Sequence, residues 1–365
     1  MDKSECRDTP GEGTDFEAFK ETMSSRERTI AALTGQPYDR IPVNLLMSDY
    51  AARVIGVTVG EYQQSAKLMA RGQITAWERY GMDLVNTGPG LTGIAEAMGS
   101  KLAFPDNTAH VAEFALKDVN DIDRLRVADP EHDGRLPLFL DAAGIVLREI
   151  GDRVPVSLTT SGPFTVACNL RGTEFFLRDL RKNPEFVHTL LRLATDSVIA
   201  FARAAITVGV RIGLAEPTAS GTLISPKLFR EFALPYLKEV VATIGNLAGA
   251  NPSLHVCGNS SRIWQDMADT GASVLSLDDE VDLADARAAV GDRVALLGNI
   301  RPTSVLVLGT PADVRANVRE CLAKGRGNPK GYILGMGCAL PINTPPENIY
   351  ALLAAAREFG RWPES

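Results

Sequence analysis

Pro252-Ser253-Leu254-His255-Val256-Cys257-Gly258 is the stretch on which the reading of this chain turns. Ser253 to Cys257 reads as a strand, and strand side chains alternate, so His255 and Cys257 point to the same side. A second apolar run, Tyr332-Ile333-Leu334-Gly335-Met336-Gly337, ends at Cys338. One nitrogen and two sulfurs make a three-ligand zinc site with a fourth position open, as a catalytic zinc requires. The same residues admit a plainer account, a hydrogen-bonded core histidine and two small buried thiols. The architecture around them decides between the two.

Working outward, eight apolar runs read as buried parallel strands: Ile41 to Leu46, Asp83 to Asn86, Val154 to Thr159, Val208 to Ala215, Ser253 to Cys257, Ser273 to Leu277, Val294 to Gly298 and Tyr332 to Gly337. Helix-like stretches separate them: Val59 to Tyr80, Leu138 to Ile150, Pro184 to Ala205, Pro226 to Leu247, Ser260 to Thr270, Leu283 to Val290, Thr310 to Lys324 and, after the last strand, Pro345 to Phe359. This alternation lacks a repeated phosphate-type glycine fingerprint, which predicts an α/β TIM (β/α)8 barrel rather than a doubly wound open sheet. Ser100 to Arg135, too rich in charge for a core, reads as an insertion between the second and third strands. No internal repeat or low-complexity tract interrupts the pattern.

In such a barrel chemistry sits where strands end. Those positions hold Asn86, Thr160, Ser161, Glu216, His255, Cys257, Asp278, Asp279, Asn299, Arg301 and Cys338. Loop hydrogen bonding accounts for Asn86, Thr160 and Asn299 as readily as catalysis does.

The 365 residues are 45% hydrophobic and 23% charged, the balance of an ordinary globular protein with a substantial core. A formal net charge of -7 argues against nucleic-acid binding and against adhesion to anionic membranes. The polar, acid-rich residues 1–22 read as a loose tail, not a signal peptide, ahead of one domain over 23–365. No apolar run approaches the ~18 residues of a membrane span. The five cysteines do not form a disulfide framework, and a reducing cytoplasm suits them.

Several segments resemble the uroporphyrinogen decarboxylase superfamily. They are Met23-Ser24-Ser25-Arg26-Glu27-Arg28, Tyr38-Asp39-Arg40-Ile41-Pro42-Val43, Ser161-Gly162-Pro163-Phe164-Thr165, Glu216-Pro217-Thr218-Ala219-Ser220, Ile224 to Phe229 with Pro235-Tyr236, and Thr344-Pro345-Pro346-Glu347-Asn348. The similarity runs from about Met23 to the C-terminus. His255-x-Cys257 with Cys338 is similar to the zinc-binding branch, the cobalamin-dependent methyltransferases typified by methylcobalamin:coenzyme M methyltransferase. The resemblance implies a TIM barrel that holds Zn2+ through His255, Cys257 and Cys338 and works with a corrinoid, often carried by a partner corrinoid protein; it leaves room for a homodimer. True decarboxylases of the superfamily carry an arginine-rich motif that clamps propionates. Here Val43 to Tyr50 contains no arginine, and planar guanidinium forks are what bind carboxylates bidentately.

Methyl transfer to sulfur needs a thiolate, and a zinc-bound thiol is deprotonated outright. The same zinc also suits removal of methyl from an ether or thioether. Glu216 is expected either as a displaceable fourth ligand or proton acceptor, or as a loop cap. Asp278, Asp279 or Glu280 is a candidate to orient His255 through its second ring nitrogen. Asn86, Asn299 and Arg301 are candidate substrate contacts, Arg301 either for an anionic group or as a partner of the neighbouring acids. Gly258 and Gly337 leave a side-chain-free mouth for a flat corrin, or simply let the strand ends turn. Cys6, Cys168 and Cys321 read as ordinary cysteines. The expected function is zinc-dependent methyl transfer between a corrinoid and a small-molecule thiol or methyl donor. The alternatives are a uroporphyrinogen-type decarboxylase and a non-catalytic corrinoid- or metal-binding protein.

Overall fold

The computed structural model describes residues 21–104 and 109–362. Residues 1–20 of the expected tail, with Cys6, lie outside the described residues. Among the described residues ten strands follow one another: β1 Val43–Asn44, β2 Val85–Gly90, β3 Lys101–Ala103, β4 His110–Glu113, β5 Val156–Ser161, β6 Arg211–Ala215, β7 Ser253–Val256, β8 Val274–Leu277, β9 Ala295–Ile300 and β10 Tyr332–Met336. Eight of them form one parallel sheet in the order β1-β10-β9-β8-β7-β6-β5-β2, and β3 pairs antiparallel with β4 in a separate hairpin. The fold is the expected TIM barrel, with the hairpin and a short 3-10 turn, Val119–Arg124, inserted between its second and third barrel strands.

The order of the sheet runs from β1 round to β2, and a buried acid joins those two ends. The Asp83 N–H donates to Val43 O at 2.9 Å, while Asp83 Oδ2 accepts from the Val43 N–H at 2.8 Å. Asp83 is fully buried and also receives Arg28 Nη1 at 2.6 Å and Arg40 Nη1 at 2.5 Å. Arg28 reaches on to Asp39 and Arg40 to Glu21, so each buried cation has more than one carboxylate. The floor of the barrel is apolar. Val274, Ala295, Leu297 and Ile333 pack together inside it, with Leu33 and Leu84 against them. On the outer side of the strands Leu158, Leu254, Val256, Leu275 and Leu277 are wholly buried.

The expected elements shift in physically explicable ways. Val208 ends the helix Pro184–Val208, because Gly209 adopts φ 103° and stops it, so the next strand begins at Arg211. The single helix expected over Val59 to Tyr80 is two, Val59–Gln63 and Ala66–Tyr80, because the Ser65 hydroxyl caps the second. Pro226 to Leu247 divides likewise, into Pro226–Phe232 and Leu234–Ala248, with Pro235 in the first turn of the second. The helices Pro163–Arg171 and Thr173–Lys182 follow β5 without having been expected.

Candidate metal centre

His255 lies on β7 opposite Ala215 of β6 and Ser276 of β8. Cys257 follows the end of β7, and Cys338 lies two residues beyond β10. The candidate ligand atoms of His255, Cys257 and Cys338 all lie within 4.8 Å of one another. His255 Nε2 is 3.0 Å from Cys257 Sγ. The other ring nitrogen, Nδ1, is 3.2 Å from the Ser276 carbonyl oxygen and 3.1 Å from Ser276 Oγ. A proton on Nδ1 satisfies that carbonyl and leaves the Nε2 lone pair turned toward the sulfurs. One imidazole nitrogen and two cysteine sulfurs at this spacing fit the tetrahedral preference of zinc with one position left over.

The two thiols act as a pair. A hydrogen bond from Cys257, reinforced by His255, pulls the Cys338 thiol down to about 4. Its partner is pushed the other way: the bond to Cys338, burial and the charges of Asp278 and Glu280 all raise Cys257. Cys338 is thus the sulfur of the pair that gives up its proton more easily, and a dication held there would displace the other.

Loops hold the ligands in place. Gly258 sits at φ 68°, its N–H donates to Asp278 Oδ2 at 2.9 Å, and Asp278 Oδ1 accepts from the Glu280 N–H at 3.0 Å. Asp278 thus pins the turn that carries Cys257. On the Cys338 side, the Gly337 N–H donates to Ile300 O at 2.8 Å and the Leu340 N–H to Leu46 O at 2.9 Å. Arg53 Nη1 grips the carbonyls of Ile342 and Thr344 at 2.8 and 3.0 Å.

The remaining expected site residues are placed differently. Glu216 is fully buried and stands outside the group of ligand atoms. Its carboxylate accepts from the N–H groups of Phe164 and Thr165 at 3.1 and 2.5 Å, capping the helix Pro163–Arg171, and a Cβ on Gly162 would lie 2.1 Å from Glu216 Oε2. Burial lifts its pKa to about 7 against the lowering effect of those hydrogen bonds. This geometry is that of the expected cap, since the carboxylate accepts the first N–H groups of that helix. No acid orients His255; Ser276 does. Asn299 turns its amide to the carbonyls of Asp278 and Val281, clamping the loop that holds Asp278. Arg301 pairs with Glu320 at 3.3 Å, and its charge also reaches Asp279. Asn86 is inside the barrel, donating to Ser157 Oγ and Thr159 Oγ1 at 3.0 and 2.6 Å.

Both mouth glycines lie close against the protein's own loops. A Cβ on Gly337 would lie 2.6 Å from Asp279 N, and one on Gly258 would lie 2.8 Å from Thr222 Oγ1. Close approach of the protein's own loops, together with the left-handed backbone of Gly258, accounts for both. Ser276 escaped the sequence reading although parallel register alone places it beside His255.

The family model described as uroporphyrinogen decarboxylase (URO-D) matches residues 24–359. The methylcobamide:CoM methyltransferase MtaA of Methanosarcina barkeri is 31% identical over 340 residues, 92% of this chain and 98% of that protein. A uroporphyrinogen decarboxylase of Cellvibrio japonicus is 30% identical over 358 residues, 93% of this chain and 98% of that protein. Among solved structures, a methyltransferase from Methanosarcina mazei superposes with a TM-score of 0.83 at 30% identity, covering 92% of this chain and 99% of its own. Among the described residues no helix is long and apolar enough to cross a membrane.

Proposed function

This chain belongs to the uroporphyrinogen decarboxylase family, and from that membership and its metal cluster we propose that it is a zinc-dependent methyltransferase. It moves a methyl group between a corrinoid, free or carried by a partner protein, and a small-molecule thiol or methyl donor such as a methyl ether. Whole-chain identity does not choose between the branches, since a methyltransferase and a decarboxylase match at 31% and 30%. The observation that carries the choice is the convergence of His255, Cys257 and Cys338 within 4.8 Å. Decarboxylation of a polyanionic tetrapyrrole gives that cluster no task, and the arginine-free run Val43 to Tyr50 offers no propionate clamp.

Zinc held by His255 Nε2, Cys257 and Cys338 would supply a Lewis-acid site where a substrate thiol loses its proton or an ether oxygen is polarised. The chain's own residues prepare that place. Ser276 fixes the imidazole so that Nε2 faces the sulfurs. Asp278 holds the Cys257 turn through the Gly258 N–H. Two cysteine thiolates offset the charge of a dication, which keeps a neighbouring substrate thiolate electron-rich and nucleophilic. The test is consumption of methylcobalamin by purified protein across thiols and, in the reverse direction, methylation of cob(I)alamin from methoxylated compounds. Transfer that disappears in Cys257→Ala supports the reading. Turnover of a uroporphyrinogen, or transfer indifferent to Cys257, contradicts it.

A further inference from the structure

An open cleft of about 370 Å3 lies beside the C-terminal ends of the helices Pro311–Gly325 and Pro346–Phe359, lined by Arg319, Leu322, Ala323, Arg326, Gly327 and Phe359. That volume is in the range of small-molecule sites. Steps of four, three and four residues lead from Arg315 through Arg319 and Leu322 to Arg326, which sets them along one helix face. Gly327 belongs to the turn that leads into β10, whereas Cys338 follows the other end of that strand. The length of β10 is about 17 Å, so the cleft and the metal cluster lie at opposite ends of the barrel.

The cleft is cationic in a chain whose net charge is -7. Arg319 and Arg326 line it, and a Cβ on Gly327 would lie 3.8 Å from Arg287 Nη1. None of these three guanidinium groups has a carboxylate partner among the described residues. Arg287 Nη1 donates to Arg326 O at 2.6 Å, and Arg326 Nη2 donates to Phe359 O at 2.5 Å. Arg326 also hydrogen-bonds the Tyr38 side chain, but its Nε is buried without a partner. The Arg319 side chain makes no hydrogen bond among the described residues; its guanidinium lies over the Phe359 ring, 5.1 Å from the centroid. Stacking orients the planar group and leaves its N–H donors unused. Arg315 lies over the same ring at 5.1 Å, but Glu358 meets its charge at 2.8 Å.

Charge decides what suits this place. Each helix C-terminus brings about half a negative charge, so three arginines leave about two positive charges unmet. A carboxylate supplies one charge. A phosphate monoester supplies about 1.5 to 2 at neutral pH and three acceptor oxygens, which the guanidinium forks bind bidentately. Leu322, Ala323 and Phe359 add an apolar wall. We propose that this cleft is a binding site for a small phosphate monoester with an apolar body, separate from the metal centre. Binding there requires nothing of His255, Cys257 or Cys338.

The test is calorimetric titration of the purified full chain, at constant ionic strength, with phenyl phosphate, inorganic phosphate and benzoate. Phenyl phosphate should bind once per chain, about tenfold more tightly than benzoate and more tightly than inorganic phosphate, which lacks the apolar body. Arg319→Ala removes an exposed side chain that no carboxylate holds, and should weaken phenyl phosphate about tenfold while leaving the melting temperature unchanged. Arg178 also lies over a ring, Phe175 at 4.8 Å, but lines no part of the cleft, so Arg178→Ala should bind as the parent does. The Cys338→Ser protein should also bind as the parent does, since phosphate held at the metal centre would be lost there. Absence of phenyl phosphate binding overturns the proposal, as do benzoate or inorganic phosphate binding equally well, an affinity indifferent to Arg319, an equal loss in Arg178→Ala, or loss of binding in Cys338→Ser.

Discussion

His255 and Ser276 stand opposite each other across β7 and β8, and the Ser276 carbonyl oxygen lies 3.2 Å from His255 Nδ1. A backbone carbonyl cannot be removed by substitution at its own position, so the ring orientation survives loss of the Ser276 hydroxyl. Ser276→Ala should therefore weaken zinc binding by less than the ~10- to 100-fold typical of losing a ligand's supporting partner. Competition with a chromogenic chelator measures it; complete loss of metal would mean the hydroxyl, not the carbonyl, sets the ring.

Asp278→Ala removes the acceptor of the Gly258 N–H and loosens the turn that carries Cys257. Zinc affinity should fall by about 10- to 100-fold. The circular dichroism spectrum should stay that of the parent, since the outer wall of the strand is packed independently. Unchanged affinity would show that the turn holds itself.

Glu216 gives a pH signature. Burial places its folded pKa at about 7, above the value of about 4.5 for an ordinary glutamate. Between those values the folded state binds more protons than the unfolded chain, so the group's contribution to stability falls as pH rises from about 4.5 through 7. Glu216→Gln should flatten that part of the stability profile and retain its zinc. A variant that loses zinc would restore Glu216 as a ligand.

Asp83 faces two buried guanidinium groups at the seam between β1 and β2. Asp83→Ala leaves both cations short of a partner and should cost about 3–5 kcal/mol, read as a lower denaturation midpoint at unchanged slope. Nearby, burial pushes the Asp39 carboxyl up, but hydrogen bonds from Arg28 and the backbone outweigh it and hold it well below the usual carboxylate range. Its stabilisation is thus present above the normal carboxylate pKa and is lost as pH falls below it. An Asp39→Asn protein should show a shallower acid transition than the parent.

His255, Cys257 and Cys338 were legible in the sequence because the strand period is local and each lies at the end of an apolar run. The eight barrel strands were legible for the same reason, with the start of β6 displaced by the capping Gly209 and one expected helix divided at the capping Ser65. What the sequence did not disclose depends on neighbours distant along the chain. Glu216 follows β6, but its carboxylate serves a helix that begins after β5, 51 and 52 residues away. Asn299 follows the inward Leu297 by two residues, yet its amide clamps the loop after β8.

Zinc K-edge absorption on the purified protein tests the metal assignment most directly. The account predicts about one zinc per chain with two sulfur and two lighter scatterers, one imidazole among them, falling to one sulfur or to no metal in Cys338→Ser, while Cys168→Ser keeps the parent spectrum. Zinc bound only by nitrogen and oxygen, or a Cys338→Ser protein with two sulfur ligands intact, would contradict it.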